Sequence, residues 1–159
     1  MDAQTKRVDS PECRFDTMLG LLSQQRDLYE RLAALSDSQR SLITGQRTEQ
    51  LLTVLAERQT LLTELERLAE RVRPLQTEWP RLRAALPADR VQEVDRLLAD
   101  IRRLLGGILE KDRDDAQLLA ARKQTTADAV MTCGTGKRAD AAYAAQASDA
   151  TVSREWTDQ

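Results

Sequence analysis

Histidine occurs nowhere in the 159 residues. Its absence removes the commonest general base, the usual proton shuttle and the most frequent metal ligand. Catalysis would have to rest on carboxylates or lysines, and no converging set of them stands out, so the chain reads as a binding protein and not an enzyme. Aromatic residues are only 3% of the chain; Leu and Ala supply the apolar content, a mixture that suits helix–helix packing over strands. Of cysteine there are two residues, Cys13 and Cys133, almost a full chain apart and without metal-ligand spacing. They read as reduced thiols, held apart by tens of ångströms if the helices run up, down and up.

Long apolar runs are missing too. None approaches the ~18–20 residues that span a bilayer, and Met1 to Ser10 has no apolar signal core, so the expectation is a cytoplasmic protein without membrane insertion. Nor does one sign of charge dominate. Against 26 acidic residues stand 24 basic ones, a formal net charge of -2, which leaves no basic surplus to neutralise a phosphate backbone and argues against a nucleic-acid partner. Gly134-Thr135-Gly136-Lys137 is only a partial likeness of a Walker loop, because Arg138 follows the lysine and no strand precedes it. Asp112, Asp114 and Asp115 lack the glycine turn of a calcium loop and are interleaved with Lys111 and Arg113, which reads as a solvated helix face. No cofactor is expected.

What the chain does have is charge and periodicity. Charged residues make up 31% and the mean hydropathy is -0.54, as in long, thin bundles whose helices stay partly wet. Ser10-Pro11-Glu12 is a helix start: a hydroxyl cap, a proline where no N–H is needed, an acid in the first turn. Steps of three and four then lead through Met18, Leu21/Leu22, Leu28/Tyr29, Leu32, Leu35 and Leu42/Ile43, with Gln25 and Gln39 on the same stripe, either as amphipathic filler at a partly exposed seam or as register-setting residues. Gly45 ends this helix and Thr48 can cap the next, whose stripe is Leu51/Leu52, Leu55, Leu61/Leu62, Leu65, Leu68/Ala69 and Val72. A link this short implies an antiparallel hairpin. At Pro74 the second helix either stops, at about Arg73, or kinks and runs on through Leu75, Trp79 and Leu82; with Pro80 following, the stretch reads as an irregular connector, with Trp79 over an end of the bundle. Pro87-Ala88-Asp89 opens a third helix striped by Val91, Val94, Leu97/Leu98, Ile101, Leu104/Leu105 and Ile108/Leu109, with Gly106-Gly107 as a soft point or close crossing.

The fold expected is therefore all-α: an elongated, coiled-coil-like, antiparallel bundle of three long helices over about 11–44, 48–73 and 88–132, within a domain of residues 1–133. A mobile polar tail over 134–159 would follow, with Tyr143, Val152 and Trp156 as isolated apolar points. Glu110 to Gln117 contains no large apolar residue, and a helix that loses its stripe is expected to leave its bundle. Leu118-Leu119 beyond the gap either cap the bundle or form an apolar spot for a foreign chain.

Two stretches add a family likeness. Gly45 to Leu68 (GQRTEQLLTVLAERQTLLTELERL) combines a glycine turn, leucine-rich steps, a charged residue near Arg58-Gln59 and the Leu61-Leu62 pair. Glu110 to Lys123 (EKDRDDAQLLAARK) is a charged run followed by leucines. Here the chain resembles flagellar export chaperones of the FlgN family, over roughly Met18 to Val130; past Lys123 it departs from them, being poorer in large apolar residues. The resemblance implies a cytoplasmic chaperone that binds the C-terminal amphipathic helices of hook–filament junction proteins, prevents their premature assembly and delivers them to the flagellar type III export gate. Carried onto this sequence, the implied contacts are Leu105, Ile108, Leu109, Leu118, Leu119, Val130 and Met131, on a monomer or weak dimer. The alternative is a structural or scaffolding coiled-coil adaptor with no secretion role, which a tight dimer would indicate.

Overall fold

The computed structural model describes the backbone of residues 10–155 and the side chains of residues 10–134. Three helices account for it: α1, Pro11–Thr44; α2, Thr48–Ala85; and α3, Ala88–Glu155. No strand occurs among the described residues. Successive helices pack antiparallel, and α1 lies against both α2 and the part of α3 that precedes Ala116. The chain divides into two compact units between Asp115 and Ala116.

The start of α1 forms as its sequence dictates. Ser10 is extended and its hydroxyl accepts from the Cys13 N–H at 3.2 Å, with Pro11 in the first turn. The end of α1 differs from expectation by one residue. Gly45 stays right-handed at φ -80, and Gln46 takes the left-handed conformation at φ 56. The Gln46 N–H reaches the Ile43 carbonyl at 3.3 Å and the Arg47 N–H reaches the Leu42 carbonyl at 3.0 Å, the paired bonds of a Schellman ending. Position 45 is tight for another reason: a β-carbon there would stand 3.3 Å from the Ser41 carbonyl oxygen. Thr48 is not the cap of α2 but its first residue; Arg47 precedes it without a side-chain cap bond.

The expected stop at Arg73 is overturned. The second helix runs through both prolines to Ala85, and the irregular connector shrinks to Leu86 and Pro87. Pro74 and Pro80 are exposed, and so are Glu70 and Gln76, four residues earlier, whose carbonyls lose their donors. Water can replace those donors on the wet face, while Leu75, Trp79 and Leu82 on the other face pack against the core. Trp79 is thus a half-buried part of the helix. It does not fold over an end.

The third helix runs past the expected end at 132, as backbone helix to Glu155. Beyond Gly136 the sequence is rich in alanine and free of proline, which favours helix even without an apolar stripe. The expectations for Tyr143, Val152 and Trp156 concern side chains outside the described residues. Gly106 and Gly107 do not break α3, and a β-carbon on either would meet nothing within 4 Å, so no close crossing needs them. Changing both to alanine is expected to stabilise the bundle by about 1–2 kcal/mol, read as a higher urea midpoint. An unchanged or lower midpoint would show that the pair relieves something the helix geometry does not reveal.

The core follows the predicted stripes. Met18, Leu22 and Leu32 of α1 meet Leu61, Leu65 and Val72 of α2 and Val94, Leu97 and Ile108 of α3. Three leucines of the α2 stripe are exceptions: Leu52, Leu55 and Leu62 are exposed. Each is the second member of a pair or lies at the stripe's edge, where a two-neighbour helix runs out of partners. Register is constant between α1 and α3. Arg90–Asp16, Lys111–Asp37 and Arg40–Asp114 each pair residues 74 apart, and Gln39–Asp115 are 76 apart. The two helices therefore run parallel without slip. Both cysteines are free thiols, and no helix among the described residues is long and apolar enough to cross a membrane.

Candidate functional site

The apolar face of α3 does not stop after Ile108; it changes chemistry. Steps of four and three lead from Ile108 to Asp112 and Asp115, so both carboxylates inherit the core-facing line. On α1 the same spacing leads from Leu32 to Ser36 and Gln39 and on to Ile43. On α2, Arg58 stands three residues before Leu61 and seven before Leu65. These five polar side chains meet in one layer. Arg58 donates through Nη1 to Ser36 Oγ at 2.5 Å and through Nη2 to Asp112 Oδ2 at 2.7 Å. Gln39 Nε2 donates to Asp115 Oδ2 at 3.1 Å, and the Ser36 hydroxyl donates to the Leu32 carbonyl at 3.1 Å. Ser36, Gln39 and Arg58 are buried, and Asp115 is 1% exposed.

Two expectations are overturned here. The charged run Glu110 to Gln117 does not leave the bundle as a whole, and Asp112 and Asp115 do not belong to a solvated face. The polar residues of α3 are matched by polar residues at the same level of α1 and α2, which hydrogen-bond one another where apolar side chains would otherwise pack; Gln39 Oε1, Asp112 Oδ1 and Asp115 Oδ1 are left buried without a partner. Asp112 is partly exposed, and the rim beyond it is wet: Lys111–Asp37 at 2.5 Å and Arg40–Asp114 at 3.7 Å, pairs worth little individually. Slipping α3 by one turn would set Asp112 or Arg58 against leucine. The layer therefore specifies register, as a single polar core position does in coiled coils. Burial pushes the Asp115 carboxyl above the ordinary range, and Asp112 adds to the rise; Arg40, the Gln39 hydrogen bond and Arg58 pull it back.

The seven residues named from the resemblance fall into separate groups. Ile108 is 3% exposed and belongs to the chain's own core, which removes it from the set: its side chain is spent on α1 and α2. Leu105 is half-buried, and Leu109 is exposed. In the second unit Leu118 is half-buried, whereas Leu119, Val130 and Met131 are 43%, 66% and 71% exposed. These do not make one stripe. At about 100° per residue, Leu119 and Val130 are three turns apart and face the same way, while Leu118 and Met131 lie about 100° to either side. Lys123 and Thr126 fill the line between Leu119 and Val130, so the two apolar residues are separated by a charge and a hydroxyl.

A groove between α1 and α2 is lined by Gln24, Leu28, Arg31, Glu64, Leu68 and Arg71 and presents no nucleophile beside a base. Among the described residues no group of three or more acidic or cysteine side chains is placed to hold a metal ion. Compared with protein-family models, curated proteins and solved structures, the chain matches none.

Proposed function

We propose that the protein is an export chaperone that captures amphipathic helices of flagellar hook–filament junction proteins in the cytoplasm and passes them to the type III export gate. The observation that carries this reading is the apolar surface of α3 after Asp115, where Leu119 and Val130 stand exposed on one line. An amphipathic helix laid along that line would bury its own apolar face, which lowers the aggregation risk of an unassembled export substrate. With no rigid aromatic anchor on the line, binding is modest in strength, as a chaperone that must release its cargo requires. The resemblance over Gly45 to Leu68 and Glu110 to Lys123 supports the same reading.

Leu119→Asp combined with Val130→Asp is expected to weaken cargo capture at least tenfold, since each change removes an apolar contact and sets a charge against the cargo's apolar face. Co-purification from the native cell with the partner identified by mass checks capture, and circular dichroism should show helix content unchanged. Capture at full strength by the double variant would refute this surface.

A scaffold that self-associates is the second reading, and one observation favours it. Leu55 and Leu62, exposed on α2, are one heptad apart, with Leu52 one turn before. Light scattering on the eluting protein separates the two. A dimer that persists on dilution and is lost in Leu55→Glu with Leu62→Glu supports the scaffold, and a monomer supports the chaperone.

A further inference from the structure

Within the polar layer one pair is left incomplete in a specific way. Gln39 Nε2 donates to Asp115 Oδ2, and the atoms left over, Gln39 Oε1 and Asp115 Oδ1, are both buried without a hydrogen-bond partner. They are the other halves of the same two planar groups, and both are acceptors. While Asp115 is ionised no direct bond can join them. A proton on Oδ1 completes the pair: the acid O–H donates to the carboxamide oxygen, the carboxamide N–H goes on donating to Oδ2, and an acid–amide ring closes. One proton then satisfies two orphaned acceptors and removes a buried charge, each of which costs free energy when left as it is.

We propose that Gln39 and Asp115 form a proton-operated latch between α1 and α3, closed when Asp115 Oδ1 is protonated and loosened when it is ionised. Asp115 is the last residue before the division of the chain at Ala116, so the latch governs how firmly the end of the bundled part of α3 is held. The charged groups around it are committed elsewhere. From α2, Arg58 is used on Ser36 and Asp112. From α1, Arg40 reaches Asp114 and Asp37 pairs with Lys111. On α3 itself, Asp112 lies one turn away and opposes ionisation of Asp115. Neither arginine therefore supplies the missing donor to Oδ1.

The direction of the pH effect follows from burial. Asp115 binds its proton more tightly in the folded chain than in the unfolded one. Between the two pKa values the folded state holds more protons, and stability falls as pH rises. The latch's contribution is complete below the unfolded value and is lost as pH rises through the folded one. This is opposite to the usual paired carboxylate, and it makes mild acid tighten the attachment.

Amide hydrogen exchange of residues 36–43 and 108–115, corrected for intrinsic rates, tests the proposal on the full chain. The neutral isostere Asp115→Asn can give an N–H to Gln39 Oε1 and accept from Gln39 Nε2, holding the latch shut. At about pH 7.5 its protection should exceed the wild type's several-fold; the gap should narrow as pH falls through the folded value and close at about pH 3, below the unfolded one. No gain at neutral pH, or the same pH trend in the variant, would overturn the latch. Carboxyl-detected NMR titration of Asp115 in the wild type is a second reading that needs no variant. A pKa above the ordinary aspartate value supports the proposal, and one at or below it overturns it.

Discussion

Arg58→Met is expected to destabilise the bundle by about 3 kcal/mol, measured as a fall in urea midpoint followed by helix signal. The guanidinium is buried and serves two helices at once, Ser36 on α1 and Asp112 on α3. Methionine fills much the same volume but gives no hydrogen, leaving Asp112 without its cation in a layer that already contains Asp115. Removing one partner of a buried pair typically costs about 3–5 kcal/mol. The low end applies because the Asp112 side chain is 34% exposed and can be partly rehydrated. The complementary experiment replaces the whole layer, with Ser36→Ala, Gln39→Leu, Arg58→Met, Asp112→Leu and Asp115→Leu together. That variant is expected to regain the loss or surpass the wild type, because a well-packed apolar layer carries no desolvation cost. Its weakness should lie in register: with no polar match to satisfy, α3 gains alternatives one turn up or down, seen as broadened or doubled methyl resonances. A loss below about 1 kcal/mol in the single variant would mean that Arg58 and Asp112 part easily, and the layer would then not hold α3.

Much of the architecture was legible in the order of residues. Ser10-Pro11 placed the first cap, and three- and four-residue steps located the stripes whose inner members form the core. Prolines misled because their cost depends on which face they occupy: the sequence displays Pro74 and Pro80, but only packing shows that their orphaned carbonyls meet water. The turn misled by one position, since glycine preference is a tendency and the contact with the Ser41 carbonyl fixed Gly45 for a different reason. The polar layer was legible in part: Gln39 stands out on its stripe as filler or as a register-setting residue, but that stripe alone does not show its partners on the other helices. Ser36 and Gln39, Arg58, and Asp112 and Asp115 each sit at stripe spacing on their own helix, and three polar interruptions that could be brought level are a signal of mutual satisfaction. Reading one helix at a time, a polar residue on the stripe looks like the end of the stripe. Of the implied contact residues, the step pattern marked Ile108 as core as strongly as it marked Val94, and the structure places it there. Leu119 and Val130 share a line by helix arithmetic alone, but their exposure depends on the absence of neighbours, which no local pattern reveals.

The register that the polar layer sets at one end of α1 has a counterpart at the other, and its removal is the other large effect expected. Phe15, the only phenylalanine in the chain, is fully buried in the second turn of α1, where Arg90 of α3 lies over its ring with Cζ 5.3 Å from the centroid and also pairs with Asp16 at 3.6 Å. Phe15→Ala is expected to cost about 3–5 kcal/mol through lost burial and the cavity left behind. Phe15→Leu should cost about 1–1.5 kcal/mol, because most of the volume is kept. Arg90→Ala should cost about 0.5–1 kcal/mol, the scale of a partly exposed cation–π contact, and in a Phe15→Leu background much of that cost should disappear, since the ring it rests on is gone. Thermal or urea unfolding of the four proteins of this cycle measures the coupling. Additive losses would show that Arg90 merely covers the ring. Coupled losses would mean that Arg90 and Phe15 fix the start of α3 against α1 about 24 residues, or some 36 Å, from the polar layer; with both ends tied, the helix between them has one register to adopt.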